Sequence, residues 1–171
     1  MGGSFYGGGG AGIDLAWTAD PADLGAAATV PDGANRGVYV RVVEAPQSGV
    51  QIAKLGIGIG TSSGNISLAV YSNTGLGSAA APSARRATTG AVASPGTGFR
   101  EFTLDQAVRV MKGDWFFLSA DNTTFTAQRG LGSSLNLFPF RSVKQASAHP
   151  APASAGSLVA DDRPFIIVGI P

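Results

Sequence analysis

Between positions 51 and 75 the chain reads QIAKLGIGIG, then TSSG, then NISLAVYSNTG. Ala53, Leu55, Ile57 and Ile59 alternate with Ile52, Lys54, Gly56 and Gly58, and beyond the turn Ile66, Leu68 and Val70 alternate with Ser67, Ala69 and Tyr71. A period of two sends successive side chains to opposite faces of an extended backbone, so the pattern predicts two strands with one buried face each. Thr61, Ser62, Ser63 and Gly64 form a polar connection of hairpin length, and Ser72, Asn73, Thr74 and Gly75 supply the turn formers that end the second strand. An antiparallel hairpin is expected here, and it needs a second sheet to pack on, because a hairpin alone is only marginally stable.

The same signal recurs along the chain. Residues 36–44 place Val38, Val40 and Val42 on one face and Tyr39, Arg41 and Val43 on the other. Phe102 and Leu104 share a face in residues 99–104, Val108 and Val110 suggest another short piece, and Met111, Lys112, Gly113 and Asp114 turn the chain. Residues 115–120, WFFLSA, are apolar on both faces, which predicts a central strand or one whose outer face meets another subunit. Residues 125–129, 134–140 and 163–170 read as further strands, the last of them central. The small, polar excursion after Gly75 offers one weak strand at 85–92, the lead-in 15–35 offers one near Trp17, and residues 145–157 form an alanine- and proline-bearing loop. Roughly eight to ten short strands without an amphipathic helix predict an all-β fold, an antiparallel β-sandwich of the jelly-roll kind.

Composition narrows this. A chain of 171 residues suits one domain, here residues 15–171, preceded by an irregular glycine-rich arm at 1–14. Half of the arm is glycine, and Phe5, Tyr6 and Ile13 are its large apolar groups. It has the look either of an arm that orders on a neighbouring surface or of a tail with incidental aromatics. Twelve basic against eleven acidic residues leave a net charge of +1, which gives no long-range field for nucleic acid or an anionic membrane. Charged residues make up 13% of the chain, about half of what soluble domains usually carry. Either part of the surface is covered by neighbouring subunits or the source proteome favours Gly, Ala and Ser. With no cysteine there is neither a disulfide nor a thiolate metal site. The start MGGSFYGGGG has no secretory signature and no run is long enough to span a bilayer, so cytoplasmic synthesis without Sec-type export is expected.

Catalytic chemistry is sparse. Gly60-Thr61-Ser62-Ser63-Gly64 has the letters of a nucleophile elbow, but that device needs a strand, a sharp turn and a helix, whereas this run joins two strands. His149, the one imidazole, lies in the alanine- and proline-bearing loop and reads as solvated. Glu44 and Glu101 are the only glutamates, most aspartates fall in turns, and no opposed carboxyl pair stands out. No enzymatic activity and no cofactor are expected. Loop oxygens of Asp121, Asn122, Asp161 and Asp162 are the candidates for calcium. The run Gly56-Ile57-Gly58-Ile59-Gly60 lacks phosphate-loop spacing, so its small residues are expected to admit a close neighbour or a bulge. Trp17, Tyr39, Tyr71 and Trp115 are candidates for glycan stacking or subunit contact, although core is the commoner fate of such rings.

The segments ISLAVYSNTG (66–75) and FREFTLDQAVRVMKGDWFFLSAD (99–121) set a strand ending in Tyr-Ser-x-x-Gly before a small-residue excursion. A Phe-x-Leu strand follows, and a Lys-Gly-Asp turn into an aromatic strand. This pattern, spanning about residues 36–121, resembles jelly-roll domains of tailed-bacteriophage virion proteins of the head-decoration, minor tail and fibre types, and carbohydrate-binding-like modules of bacterial surface proteins. The glycine-rich start resembles that of some phage structural proteins. The resemblance implies a non-enzymatic virion protein, made in the host cytoplasm, that forms a homo-oligomer, a trimer by architecture. It would hold capsid or tail proteins of the same particle through Phe5, Tyr6 and Ile13. The alternative it implies is a carbohydrate-binding module for receptor recognition or adhesion, with a surface glycan as partner. No ligand residues transfer, since the shared pattern is structural.

Overall fold

In the computed structural model, which describes residues 15–18, 24–29, 34–130, 142–161 and 165–171, the stretch at 51–75 becomes two long strands that lie in different sheets. Numbered along the chain, the strands are β1 Ala16–Trp17, β2 Leu24–Thr29, β3 Arg36–Arg41, β4 Val50–Thr61, β5 Asn65–Thr74, β6 Ala81–Thr88 and β7 Val92–Ala93. They continue with β8 Gly98–Val110, β9 Trp115–Ala120, β10 Thr126–Gly130, β11 Ser142–Gln145, β12 Val159–Asp161 and β13 Ile167–Ile170. The first sheet is built on β4, which carries β8 on one edge and β13 and β10 on the other, with β1 and β2 beyond them. The second runs β12-β11-β3-β9-β5-β6, with β7 also on β5. All pairings are antiparallel. The expectation of an antiparallel sandwich holds, and the strand order, rather than the name jelly roll, describes its winding.

The expected hairpin is instead an arch from one sheet to the other. Alternation shows that each strand has a buried face; it does not show whether the two faces point the same way, as in a hairpin, or toward each other. Here they point toward each other, with Leu55, Ile57 and Ile59 of β4 opposing Ile66, Leu68 and Val70 of β5 in one buried cluster. The turn is fastened by Asp121, whose carboxylate accepts from the Asn65 backbone N–H at 3.0 Å and its side-chain amide at 2.8 Å. Gly64 sits there at φ +56°, and an added Cβ would stand 2.3 Å from Asp121 Oδ1. Only glycine fits.

Val38, Val40, Val42, Phe102, Leu104, Val108, Val110, Phe116, Leu118, Phe125, Phe165 and Ile167 complete the space between the sheets. β4 buries Ile52 and also Leu55, residues of opposite parity, because its register with β8 shifts between Ile52 and Lys54. One bulge thus serves two phases of alternation. On β8 the irregularity includes Asp105 and Gln106, which reach β6 of the other sheet: Asp105 Oδ1 accepts from Thr88 N–H at 2.9 Å and the Gln106 amide donates to Arg86 O at 2.6 Å. The pieces expected at 99–104 and 108–110 are therefore one strand. In β4, Cβ atoms at Gly56, Gly58 and Gly60 would collide with Phe99, Gln128, and Ala27 with Thr126, the close neighbours expected there.

Three further differences bear on the site. The weak strand expected at 85–92 lies at Ala81–Thr88, followed by the two-residue β7, and the lead-in holds two strands rather than one. The expected strand at 134–140 lies outside the described residues. The loop expected at 145–157 crosses the outer face of the second sheet as residues 146–158, and Ala148 and Ala151 are buried there.

Candidate functional site

β9 and β5 are buried on both sides. Their inner residues face the other sheet, while Trp115, Phe117 and Ser119 of β9 and Ser67, Ala69 and Tyr71 of β5 face outward together with Tyr39 of β3. Tyr39, Tyr71, Trp115 and Phe117 have no solvent exposure. The cover is the chain's own 146–158 segment rather than another subunit. Tyr39 meets Tyr71 edge-on at 4.9 Å between ring centroids, and Phe117 lies 4.7 Å from Tyr39 and 5.7 Å from Tyr71. Tilted and edge contacts of this kind suit the charge distribution of aromatic rings. Gly37 makes room for them, since a Cβ there would stand 2.2 Å from the Phe117 ring.

The strap is irregular, so its backbone polar groups need partners beneath it. Ala148 N–H donates to Asn35 O at 2.6 Å, and Ala151 N–H to the buried Ser67 hydroxyl at 3.1 Å. The Tyr71 hydroxyl donates to Pro152 O, and Arg85 donates through its guanidinium to Ala151 O and through its backbone N–H to Ala153 O at 2.9 Å. Ala155 N–H donates to Ser83 O at 2.9 Å, so the strap adds a short bridge to the β6 edge before returning to β12. On the return, Gln145 Oε1 accepts from both the Tyr39 hydroxyl and the Gly156 N–H at 2.8 Å. Trp115 Nε1 donates to Asn73 Oδ1 at 2.9 Å. Burial pushes the Tyr39 phenol up to about 12 and the Tyr71 phenol up as well.

His149 is half-buried on this strap, with Nδ1 3.0 Å from Oγ of the fully buried Ser119. It is not the solvated loop histidine that its neighbours suggest. Burial lowers its pKa, and the Asp121 carboxylate opposes that shift. The Asp121 pKa is itself lowered, chiefly by the Asn122 amide at 2.8 Å and by Asn65.

The candidate residues fall in separate places. Tyr39, Tyr71 and Trp115 share the roofed face and present no ring to solvent, so as sugar platforms or subunit contacts they are closed. Trp17 lies on the other sheet, packed against Ile166 and Val168. Phe5, Tyr6 and Ile13 lie outside the described residues, as does Asp162. Asp121 and Asn122 are at the far end of β9, while Asp161 is in register with Ser142 and Val40, beside Phe116 at the other end, and faces Lys144 Nζ at 4.0 Å. Among the described residues no three histidine, aspartate or glutamate side chains converge as metal ligands. Ser62, from the GTSSG run, bonds Ser94 Oγ at 2.8 Å and Ser94 O and Gly96 N at 3.1 Å, which pins the loop after β7.

Phe117, Ser67, Ser119 and Asn73 belong to the roofed face without having been singled out by sequence. For β9 the signal was the absence of a polar face in WFFLSA; β5, whose alternation predicts one buried face, is instead buried on both, with Ser67, Ala69 and Tyr71 under the strap. No protein-family model, curated protein or solved structure was found to match this chain.

Proposed function

We propose that this chain is a non-enzymatic structural component of a bacteriophage virion, a jelly-roll protein of the capsid-decorating or minor tail type, fastened to the particle through residues 1–14. The observation that carries this reading is how the root of that arm is held. Immediately after it, the buried Thr18 hydroxyl donates to Phe165 O at 2.7 Å and accepts from Ile167 N–H at 2.9 Å, and Thr18 N–H donates to Ile167 O at 3.1 Å. Trp17 N–H donates to Glu44 O, and Trp17 O accepts from Val43 N–H, both at 3.0 Å. A tether carries load only from a fixed root, and this one is tied at once to the last strand and to the segment after β3. The body it leaves is a sandwich whose most aromatic outer face is already roofed, which suits a protein that works through its arm. Its partners are capsid or tail proteins of the same particle, in a homotrimer, with the low surface charge of the chain favouring contact with neighbours.

Deleting residues 1–14 is expected to leave the melting temperature of the body unchanged and to remove the protein from purified virions, while the intact chain has a solution mass that is a multiple of 17.2 kDa. A deletion variant that sediments with particles in full amount overturns the reading. The carbohydrate-binding alternative loses three of its four candidate rings to the strap and is not favoured.

A further inference from the structure

We propose that the 146–158 strap is an acid-releasable cover: charging His149 undocks it from the second sheet and bares the aromatic face of Tyr39, Tyr71, Trp115 and Phe117. The inference goes beyond the virion reading and does not depend on it.

Geometry is the basis. His149 stands between the two residues by which the strap is most deeply seated, Ala148 and Ala151, and its Nδ1 is paired to a serine without solvent exposure. Close to it the cover is held by Ala148 N–H on Asn35 O, by Ala151 N–H on Ser67 Oγ and by the Arg85 guanidinium on Ala151 O. Such a segment opens locally at a fraction of the cost of global unfolding, so a modest change in one group shifts its population. The elements beneath carry Arg36, Tyr39 and Arg41 on β3, Tyr71 on β5 and Arg85 and Arg86 on β6, with Asp121 after β9; of these Tyr39, Tyr71 and Arg85 are on the strap side. The tyrosines stay neutral throughout the acid range. Among the described residues Asp121 is the one carboxylate that acts on His149, and its own lowered pKa keeps it ionised while the imidazole titrates.

The sign follows from burial outweighing Asp121. Docking lowers the His149 pKa below its ordinary 6.5, so its contribution to docking is complete above that value and is lost as the pH falls through the docked value. Release is therefore acidic.

The test is hydrogen–deuterium exchange on the full chain between about pH 7.5 and about pH 4.5, corrected for the intrinsic pH dependence of exchange. The Ala151 and Ala155 amides report the strap, and β4 amides report the body. Opening of the strap is expected to rise several-fold toward acid while β4 stays protected, and His149→Gln, which keeps a polar partner for Ser119, is expected to abolish the rise. Asp121→Asn removes the charge that favours the docked imidazolium, so the rise in strap opening toward acid is expected to be larger than in the native chain. A strap indifferent to pH in the native chain, the same acid response in His149→Gln, or a rise in Asp121→Asn no larger than the native one each overturns the proposal.

Discussion

The two faces of the second sheet are covered in different ways, and each face carries the residues its cover demands. Inward, Val38, Val40, Leu68, Val70, Phe116 and Leu118 meet another sheet. A sheet satisfies its own backbone hydrogen bonds, so the face it covers can be wholly apolar. Outward, Ser67 and Tyr71 bond the backbone of an irregular strap, Ser119 bonds its His149, and Tyr39 and Trp115 bond Gln145 and Asn73, while Phe117 and Ala69 are apolar. The outer face is as buried as the inner one, yet it is polar at defined points. Burial alone does not say how a surface is covered; the placement of hydroxyls within it does.

The two covers should also separate energetically. Phe116 reaches across the sandwich to Gly169 and Ile52 of the first sheet, where an added Cβ on Gly169 would stand 2.9 Å from its ring tip. Phe116→Ala leaves a cavity between the sheets, and urea denaturation should show a loss of about 4 kcal/mol in global stability. Because the cavity persists when the strap lifts, the free energy of strap opening, read from exchange at Ala151, should not change. A fall in both by the same amount would mean that the two covers are one cooperative unit.

Gly37→Ala attacks the outer face alone. Its Cβ would stand 2.2 Å from the Phe117 ring and 3.2 Å from Ala148 Cβ, so the ring has to rise into the strap. The expected cost is about 1–3 kcal/mol. It should appear as easier strap opening, since lifting the strap gives the ring room. If strap amides keep their native protection while β4 amides lose theirs, the clash is being absorbed by the sheet instead.

How much of this could be read from the residues follows from the same contrast. β3 was legible because Val38, Val40 and Val42 alternate with a clear period, and β9 because WFFLSA is apolar on both faces. The arch at Thr61 to Gly64 was not, since the alternation on either side is the same for a hairpin, and the deciding contact, Asp121 on Asn65, comes from 56 residues away. The bulge at Ala53 left only a phase slip between Ile52 and Leu55. The roofed face announced its need for a cover only through β9, which lacks a polar side, and the cover is built mainly of Ala, Ser, Pro and Gly, which have no periodicity to read. Its His149 was misread for the same reason: its neighbours are small, and the buried Ser119 it meets is 30 positions distant.

The finest separation comes from Ser67, which sits between the inward residues Ile66 and Leu68 on β5 and points out to the strap. Ser67→Ala removes one buried oxygen and no packing volume to speak of, and it leaves Ala151 N–H without an acceptor. A lost buried hydrogen bond of this kind costs about 1 kcal/mol, or roughly fivefold in an equilibrium constant. The bond exists only while the strap is docked, so strap opening and global unfolding should both become easier by that one amount. In Phe116→Ala only global unfolding should move. If Ser67→Ala lowers global stability but leaves exchange at Ala155 as it was, the hydroxyl is serving the sheet rather than the strap, and the division of labour between the two faces fails at its smallest unit.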